Sequence, residues 1–325
     1  MPNVQVSNGA VSLQVSVQGS GPLILCVHGW PELSYSWRHQ QAHFAALGYT
    51  VAAMDVRGYG GSSKPQAIAA YTMRELTSDV AAVVDALGGS PSGRVGGSKA
   101  ILFGHDWGAP IVWNSAVLYP DKITAVAGLS VPYSPIGTTS FITLMRKLYA
   151  GKFFYQLYIQ TEGVAEAEFE ADVRAALRKV YYSASGDAAP NPLLSGRPPE
   201  ARLLDGMVDP DPFPAWLTEA DLQVFVDAFA AGGLRGPFNR YRAQDLDAAE
   251  LGPIPNKRVT QPAFFLAGAK DGVRKFIPGR DLYAEPGAAC DDFRGAVILP
   301  GIGHWVQQEA PTLTNAALEG FLKGL

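Results

Sequence analysis

Short apolar runs alternate with amphipathic stretches and glycine-rich loops over the first 130 residues. Continuous apolar runs such as Leu23–Val27 are typical of strands that are buried on both faces of a sheet, whereas residues 11–18 alternate in part. The predicted strands in this region are residues 11–18, 23–27, 50–53, 100–103 and 123–129.

The stretches between these strands have apolar residues at helical spacing. A Thr-x-x-Glu capping box at residues 72–75 precedes a stretch in which Leu76, Val80 and Val84 share one face, and this predicts a helix. Helices are also predicted at residues 37–47 and 109–117. Strands that alternate with helices predict an α/β fold, a mostly parallel sheet with helices on both faces.

The alternation stops between about residues 131 and 255. Helices are predicted there at residues 141–148, at 164–180, and from a second capping box at 218–221 to Gly232, but no strand is predicted. Strands return at residues 263–267 and 295–299, before a last helix at 311–325. We therefore expect a core formed by residues 1–132 and 256–325, with a helical cap, residues 133–255, inserted into it. Residues 88–98 and 190–199 are predicted loops.

Composition and charge narrow the class of protein. The chain has 325 residues, 47 % hydrophobic and 17 % charged, with a net charge of −4, so no nucleic acid or anionic membrane surface is favoured as a partner. No apolar run approaches the ~18 residues of a membrane-spanning helix, and no basic region followed by an apolar stretch marks a signal peptide. Cys26 and Cys290 are far apart, and Cys26 is expected to be a buried free thiol. We therefore expect a cytoplasmic protein.

The chemistry centres on Gly104-His105-Asp106-Trp107-Gly108, which lies between a predicted strand and a predicted helix. Gly-x-X-x-Gly in that position is the nucleophile-elbow pattern, a tight turn that exposes its central side chain. The central residue is Asp106 rather than the serine of an esterase. Because a carboxylate attacks saturated carbon without needing a base, the elbow predicts opening of a strained or activated C–O or C–halogen bond through an alkyl ester.

Such a nucleophile needs a base, an acid that orients the base, and donors for an oxyanion. His304 follows the last predicted strand in a glycine-rich loop and is the candidate base. Asp271 follows the strand at 263–267 and is the candidate acid, although Asp-Gly is also a common solvated turn. The backbone N–H groups of Trp30 and Trp107 are the candidate oxyanion donors. The remaining histidines, His28, His39, His43 and His105, are not at the base position.

Taken together, the motifs resemble those of soluble epoxide hydrolases of the α/β-hydrolase superfamily over nearly the whole chain. The matching stretches are HGWPE at 28–32, SWR at 36–38, DVRGYG at 55–60, the elbow, YQLY at 155–158, NRYR at 239–242 and GHW at 303–305. The resemblance implies an α/β-hydrolase fold with an inserted cap, and an enzyme that converts epoxides and water to vicinal diols. It implies no cofactor and no metal, and it is compatible with a homodimer.

The resemblance also assigns roles to residues. It implies that Asp106 attacks an epoxide carbon while Tyr155 and Tyr241 hold and protonate the ring oxygen, and that His304, paired with Asp271, then activates water. A phenol suits this task because its pKa near 10 keeps it protonated at neutral pH. Residues expected to contact substrate are Trp107, Gln156 and Trp305.

The sequence departs from the family pattern at two places, and two alternative functions remain open. The family more often has phenylalanine at the position of Trp30, and the loop at 88–98 is longer than usual. A haloalkane or haloacid dehalogenase shares the fold and the aspartate nucleophile, but the paired cap tyrosines argue against it. A non-catalytic ligand receptor on the same fold would be expected to have lost part of the catalytic set. The identity of the substrate is left open.

Overall fold

A computed structural model describes residues 3–88, 99–189 and 197–325. Residues 89–98 and 190–196, which make up most of the two predicted loops, lie outside this part of the chain.

The described residues form an eight-stranded sheet with the order β1-β2-β4-β3-β5-β6-β7-β8. The strands are β1 (Asn3–Asn8), β2 (Val11–Gly19), β3 (Leu23–Val27), β4 (Thr50–Met54), β5 (Ala100–His105), β6 (Ile123–Leu129), β7 (Val259–Gly268) and β8 (Cys290–Leu299). β1 and β2 pair antiparallel with each other, and β2 pairs antiparallel with β4. All other pairs are parallel. The predicted α/β fold with a mostly parallel sheet is therefore confirmed.

Helices cover both faces of the sheet. The core helices are α1 (Arg38–Ala46), α2 (Met73–Leu87), α3 (Gly108–Leu118), α11 (Val306–Glu309) and α12 (Pro311–Lys323). Alternate residues of β3 point to opposite faces, so Ile24 and Cys26 pack with Phe44 of α1 and Leu318 of α12. Leu23, Leu25 and Val27 belong to a second cluster, which includes apolar residues of α2 and α3. This burial on both faces explains the continuous apolar runs of the central strands.

The described residues between β6 and β7 contain helices and turns but no strand, as predicted. These helices are α4 (Phe141–Leu148), α5 (Tyr155–Ile159), α6 (Val164–Glu170), α7 (Val173–Ala184), α8 (Glu219–Gly232), α9 (Arg235–Arg242) and α10 (Gln244–Leu251). We call α4 to α10 the inserted helices. The division into a core and a cap at residues 132/133 and 255/256 stays a prediction.

Several predicted boundaries were wrong. The single helix predicted at 164–180 is two helices, α6 and α7, because the Asp172 side chain accepts a hydrogen bond from Ala175 N at 2.9 Å and begins a new helix. Strand β1 was missed, although its apolar positions alternate, and β7 and β8 begin four and five residues before the predicted starts at 263 and 295. Cys26 and Cys290 are buried free thiols. In the described ranges, no helix combines the length and apolar character needed to cross a bilayer.

Candidate active site

The turn between β5 and α3 has the backbone geometry of a nucleophile elbow. Asp106 has a φ of 51°, in the left-handed region that non-glycine residues rarely adopt. A Cβ on Gly104 would lie 2.3 Å from the carbonyl oxygen of Gly108, and one on Gly108 would lie 2.0 Å from that of Val27. The two glycines are therefore required by the close approach of strand and helix, and the turn projects the Asp106 side chain from the carboxyl end of the sheet.

The Asp106 carboxylate has a donor at each oxygen. The backbone N–H of Trp30 donates to Oδ1 at 2.8 Å, and His304 Nε2 lies 3.2 Å from Oδ2. Burial raises the pKa of Asp106, but the hydrogen bond and charge of His304 and the N–H of Trp30 lower it, and the net pKa is below its ordinary value. Asp106 is therefore an anion in the resting protein.

Asp271 lies on the other side of His304. Its Oδ2 is 2.9 Å from His304 Nδ1 and accepts a hydrogen bond from Tyr283 Oη at 2.8 Å, while its Oδ1 accepts from Val273 N at 2.9 Å. The residue is 3 % exposed, so it is a buried carboxylate and not a solvated turn residue. Burial raises its pKa, but His304, the Val273 N–H and the Tyr283 hydroxyl together hold that pKa below the usual value.

His304 lies between these two carboxylates in the loop after β8. Burial lowers its pKa, but the charges and hydrogen bonds of Asp271 and Asp106 outweigh burial and raise the pKa well above its ordinary value. The loop is held to the inserted helices, since His304 N donates to Ala184 O at 2.8 Å and Trp305 Nε1 donates to Tyr181 O at 2.8 Å. His304 is thus a cation in the resting protein, fixed in place by backbone contacts.

Tyr155 and Tyr241 face Asp106 from the inserted helices. Their ring centroids are 5.8 Å apart, and the Tyr241 ring lies 5.2 Å from the ring of Trp107. Burial raises the pKa of both phenols, and the negative charge of Asp106 raises both further. Both hydroxyls are therefore protonated at neutral pH and are available as donors.

A cavity of about 1190 Å³ lies between the sheet edge and the inserted helices. Of the predicted site residues, those that line it are Trp30, Asp106, Tyr155, Tyr241, Asp271, His304 and Trp305. Trp107 and Gln156, which we expected to contact substrate, are not among the described lining residues. The Trp107 ring contacts the Tyr241 ring and the Arg240 guanidinium. The Gln156 amide donates to Tyr155 Oη at 2.9 Å.

Comparisons with known proteins agree with this geometry. A family model for the alpha/beta hydrolase fold matches residues 22–275. Epoxide hydrolase A of Mycobacterium tuberculosis is 36 % identical over 324 residues, which cover 98 % of this chain and 97 % of the relative. The chain belongs to the epoxide hydrolases of the α/β-hydrolase family. The family and fold expected from the motifs are confirmed, and the protein is an enzyme of the hydrolase class.

Solved structures place the hydrolase in the same group. An epoxide hydrolase from an endophytic Streptomyces superposes with a TM-score of 0.91 at 42 % identity, over 99 % of this chain and 95 % of that one. Epoxide hydrolase A from Mycobacterium thermoresistibile gives a TM-score of 0.88 at 40 % identity, over 100 % of this chain and 98 % of that one. Over the described part of the hydrolase, no three His, Cys, Asp or Glu side chains lie together as a metal site would require.

Sequence reasoning missed the residues that support the catalytic loops. The Glu309 carboxylate accepts hydrogen bonds from the backbone N–H groups of Gly186, Gly303 and Trp305 at 2.7, 3.0 and 2.9 Å. It therefore joins the His304 loop to the segment after α7. Nothing in the local sequence signals this role, because Gly186 lies 123 residues away.

A second missed group lies beneath the elbow. Glu32 Oε2 is 2.7 Å from His105 Nδ1, and both side chains are 0 % exposed. The other ring nitrogen of His105 is 2.7 Å from the carbonyl oxygen of His304. Burial raises the pKa of Glu32, but His105 lowers it, and the net pKa is below its usual value. His105 thus joins the elbow to the His304 loop. His28, by contrast, accepts a hydrogen bond from Val56 N and so holds the loop that follows β4.

Proposed function

We propose that this enzyme hydrolyses epoxides to vicinal diols through a covalent ester on Asp106. The observation that supports the proposal most strongly is the arrangement across the cavity. On one side is an ionised carboxylate with a histidine and a backbone N–H at its two oxygens, and on the other are two protonated phenols. A nucleophile opposite paired acids suits the opening of a strained ring whose leaving group is a poorly stabilised alkoxide.

In the first half-reaction, an Asp106 oxygen attacks one epoxide carbon and the bond from that carbon to the ring oxygen breaks. Tyr155 and Tyr241 donate hydrogen bonds to the ring oxygen, and one of them transfers its proton to it. Their raised pKa values suit this role, because such a phenol keeps its proton at rest and gives it up only to the strongly basic alkoxide that forms as the ring opens.

Formation of the ester prepares the second half-reaction electrostatically. The pKa of His304 is raised by two carboxylates, and esterification removes the charge of one of them, Asp106. The pKa of His304 then falls, because only Asp271 still favours the imidazolium. The proton that His304 gives up from Nε2 passes to the tyrosinate left by ring opening and restores that tyrosine. The neutral imidazole, with Nδ1–H held by Asp271, accepts a proton from water at Nε2.

The activated water attacks the carboxyl carbon of the ester, and the backbone N–H groups of Trp30 and Trp107 stabilise the oxyanion. The bond from that carbon to the alkyl oxygen breaks, and His304 returns its proton to the departing oxygen. The second proton of the water is left on the Asp106 carboxyl group and passes to His304, which restores the resting ion pair. The diol therefore contains one oxygen of the epoxide and one that belonged to Asp106.

The cavity suggests the kind of substrate. Its lining combines Trp30, Val180, Leu203, Phe276 and other apolar side chains with the few polar groups of the site. An apolar surface of this kind favours epoxides with hydrocarbon or aromatic substituents.

The proposal is tested by incubating wild-type protein and an Asp106→Ala variant with a panel of apolar epoxides that includes styrene oxide. We expect diol from the wild type and none above background from the variant. Halide release from haloalkanes with no diol from any epoxide would instead make the enzyme a dehalogenase. Neither activity, with tight binding of an apolar ligand, would identify a non-catalytic receptor.

A further inference from the structure

Two buried amide side chains connect Tyr155 to the backbone of Tyr241 through a series of hydrogen bonds. Gln156 and Gln244 are both buried. Gln244 Nε2 donates to the backbone carbonyl oxygen of Tyr241 and to Gln156 Oε1, each at 3.0 Å. Gln156 Nε2 in turn donates to Tyr155 Oη at 2.9 Å.

The backbone carbonyl oxygen of Tyr241 determines the direction of these hydrogen bonds. A backbone carbonyl oxygen only accepts hydrogen bonds, so the Gln244 atom that faces Tyr241 O must be the amide nitrogen. That nitrogen also faces Gln156, which must therefore present its oxygen to Gln244 and its nitrogen to Tyr155. Tyr155 Oη is thus an acceptor on this side, and its own proton points elsewhere.

We infer that Gln156, oriented by Gln244, is a positioning residue that directs the Tyr155 proton into the cavity. The inference rests on the proposed function, in which Tyr155 protonates the epoxide oxygen. The Gln156 N–H also stabilises the negative charge that develops on Tyr155 Oη as its O–H bond breaks and the proton moves to the ring oxygen. In agreement with this, the Gln156 hydrogen bond lowers the pKa of Tyr155 against the larger effect of burial.

This series of hydrogen bonds predicts which half-reaction depends on these glutamines. Tyr155 acts in ester formation, and His304 acts in ester hydrolysis. Loss of the Gln156 donor should therefore slow ester formation by about 10- to 100-fold, the value of one hydrogen bond to a developing charge. Ester hydrolysis should change by less than about threefold, whereas general damage to the inserted helices would slow both steps.

Gln160, the residue that directly follows α5, offers a matched control. Its amide donates to the backbone carbonyl oxygens of Gln156 and Tyr241 at 2.9 and 3.1 Å, so it joins the same segments without touching a tyrosine hydroxyl. Gln160→Leu should leave the rate of ester formation within about threefold of the wild type. Gln156→Leu should not.

The experiment is rapid mixing of excess full-length protein with styrene oxide, followed by acid quenching and mass measurement of the Asp106 ester over time. The variants are Gln156→Leu, Gln244→Met, the double variant and Gln160→Leu. Gln244→Met leaves Gln156 free to rotate its amide, so ester formation should slow by several-fold. The double variant should be no slower than Gln156→Leu, because both residues act through the same series of hydrogen bonds to Tyr155.

Three results would overturn the inference while leaving the proposed function intact. The first is ester formation within twofold of the wild type in Gln156→Leu, and the second is an equal loss in both half-reactions. The third is a double variant whose loss is the product of the single losses. A wild-type protein that forms diol with no Asp106 ester would instead overturn the proposed mechanism, and the inference with it.

Discussion

Replacing Asp271 with asparagine should stop the reaction at the ester. Asp271 Oδ1 accepts a hydrogen bond from the backbone N–H of Val273. A backbone N–H can only donate, so an asparagine at position 271 would place its side-chain oxygen at this position. The asparagine NH₂ would then face His304 Nδ1 in place of Oδ2. Two donors cannot pair, so the imidazole would take the tautomer with its proton on Nε2, which is the nitrogen that must accept a proton from water.

The size of the effect follows from two losses. The productive tautomer of His304 loses its hydrogen bond to a charged partner, and the imidazolium loses the second of its two neighbouring carboxylates. Together these changes correspond to about 3–5 kcal/mol, or roughly 10²- to 10⁴-fold in the rate of ester hydrolysis. Ester formation does not use His304 as a base and should fall by less than about tenfold.

The assay is a stopped reaction followed by intact-protein mass, which counts the esterified fraction of Asp271→Asn over time. We expect nearly complete esterification in the variant and slow release of diol. Tyr283→Phe is the matched control, because it removes another donor to the same Asp271 oxygen without altering the His304 tautomer. An equal slowing of both half-reactions in Asp271→Asn, with no accumulated ester, would refute the tautomer argument.

Three further predictions concern the surroundings of the site. The raised pKa of His304 adds stability that is fully present below about pH 6.5, the ordinary pKa of histidine, and is lost as pH rises through the raised pKa of the folded protein. The free energy of unfolding in urea of the wild type, measured relative to His304→Gln, should therefore fall by up to about 1.4 kcal/mol per pH unit above 6.5. A difference that does not change with pH would contradict this. Gly29→Ala would place a Cβ 2.3 Å from Asp106 Oδ1 and should reduce ester formation more than about 100-fold, whereas Gly320→Ala, with nothing within 4 Å, should leave it unchanged. Glu309→Gln should lower the free energy of unfolding by about 2–3 kcal/mol, because the backbone N–H of Trp305 would face an amide nitrogen and lose its acceptor. A change below about 0.5 kcal/mol in the free energy measured by urea unfolding would contradict that reasoning.

The meeting of four candidate catalytic residues could be predicted from the sequence because parallel strands end at one edge of a sheet. β3, β5, β7 and β8 are each followed by a loop, and those loops contain Trp30, Asp106, Asp271 and His304. Once the apolar runs located the strands, the order of the motifs along the chain was enough to predict that these residues meet. Tyr155 and Tyr241, in contrast, came from the family resemblance alone, since 13 tyrosines gave no basis for a choice.

Two kinds of feature were not predictable from local pattern. Helix α9 was missed because nearly all of its residues are buried, including Arg240 and Arg242, whose charges are paired with Asp247 and Glu166. Because arginine and asparagine side chains are buried in α9, burial there does not follow hydrophobicity, and the apolar pattern alone could not reveal the helix. Gln156 was expected to contact substrate, but its orientation is decided by Gln244, 88 residues away, and only the folded structure brings the two together.

The central claim is that Asp106 forms a covalent ester with the substrate, and oxygen labelling under single-turnover conditions tests it most directly. Excess wild-type enzyme would convert a limiting amount of styrene oxide in H₂¹⁸O. The account predicts unlabelled diol and ¹⁸O in the Asp106 carboxylate, because water attacks the carboxyl carbon of the ester. Labelled diol with unlabelled Asp106 would mean direct attack of water on the epoxide and would contradict the mechanism.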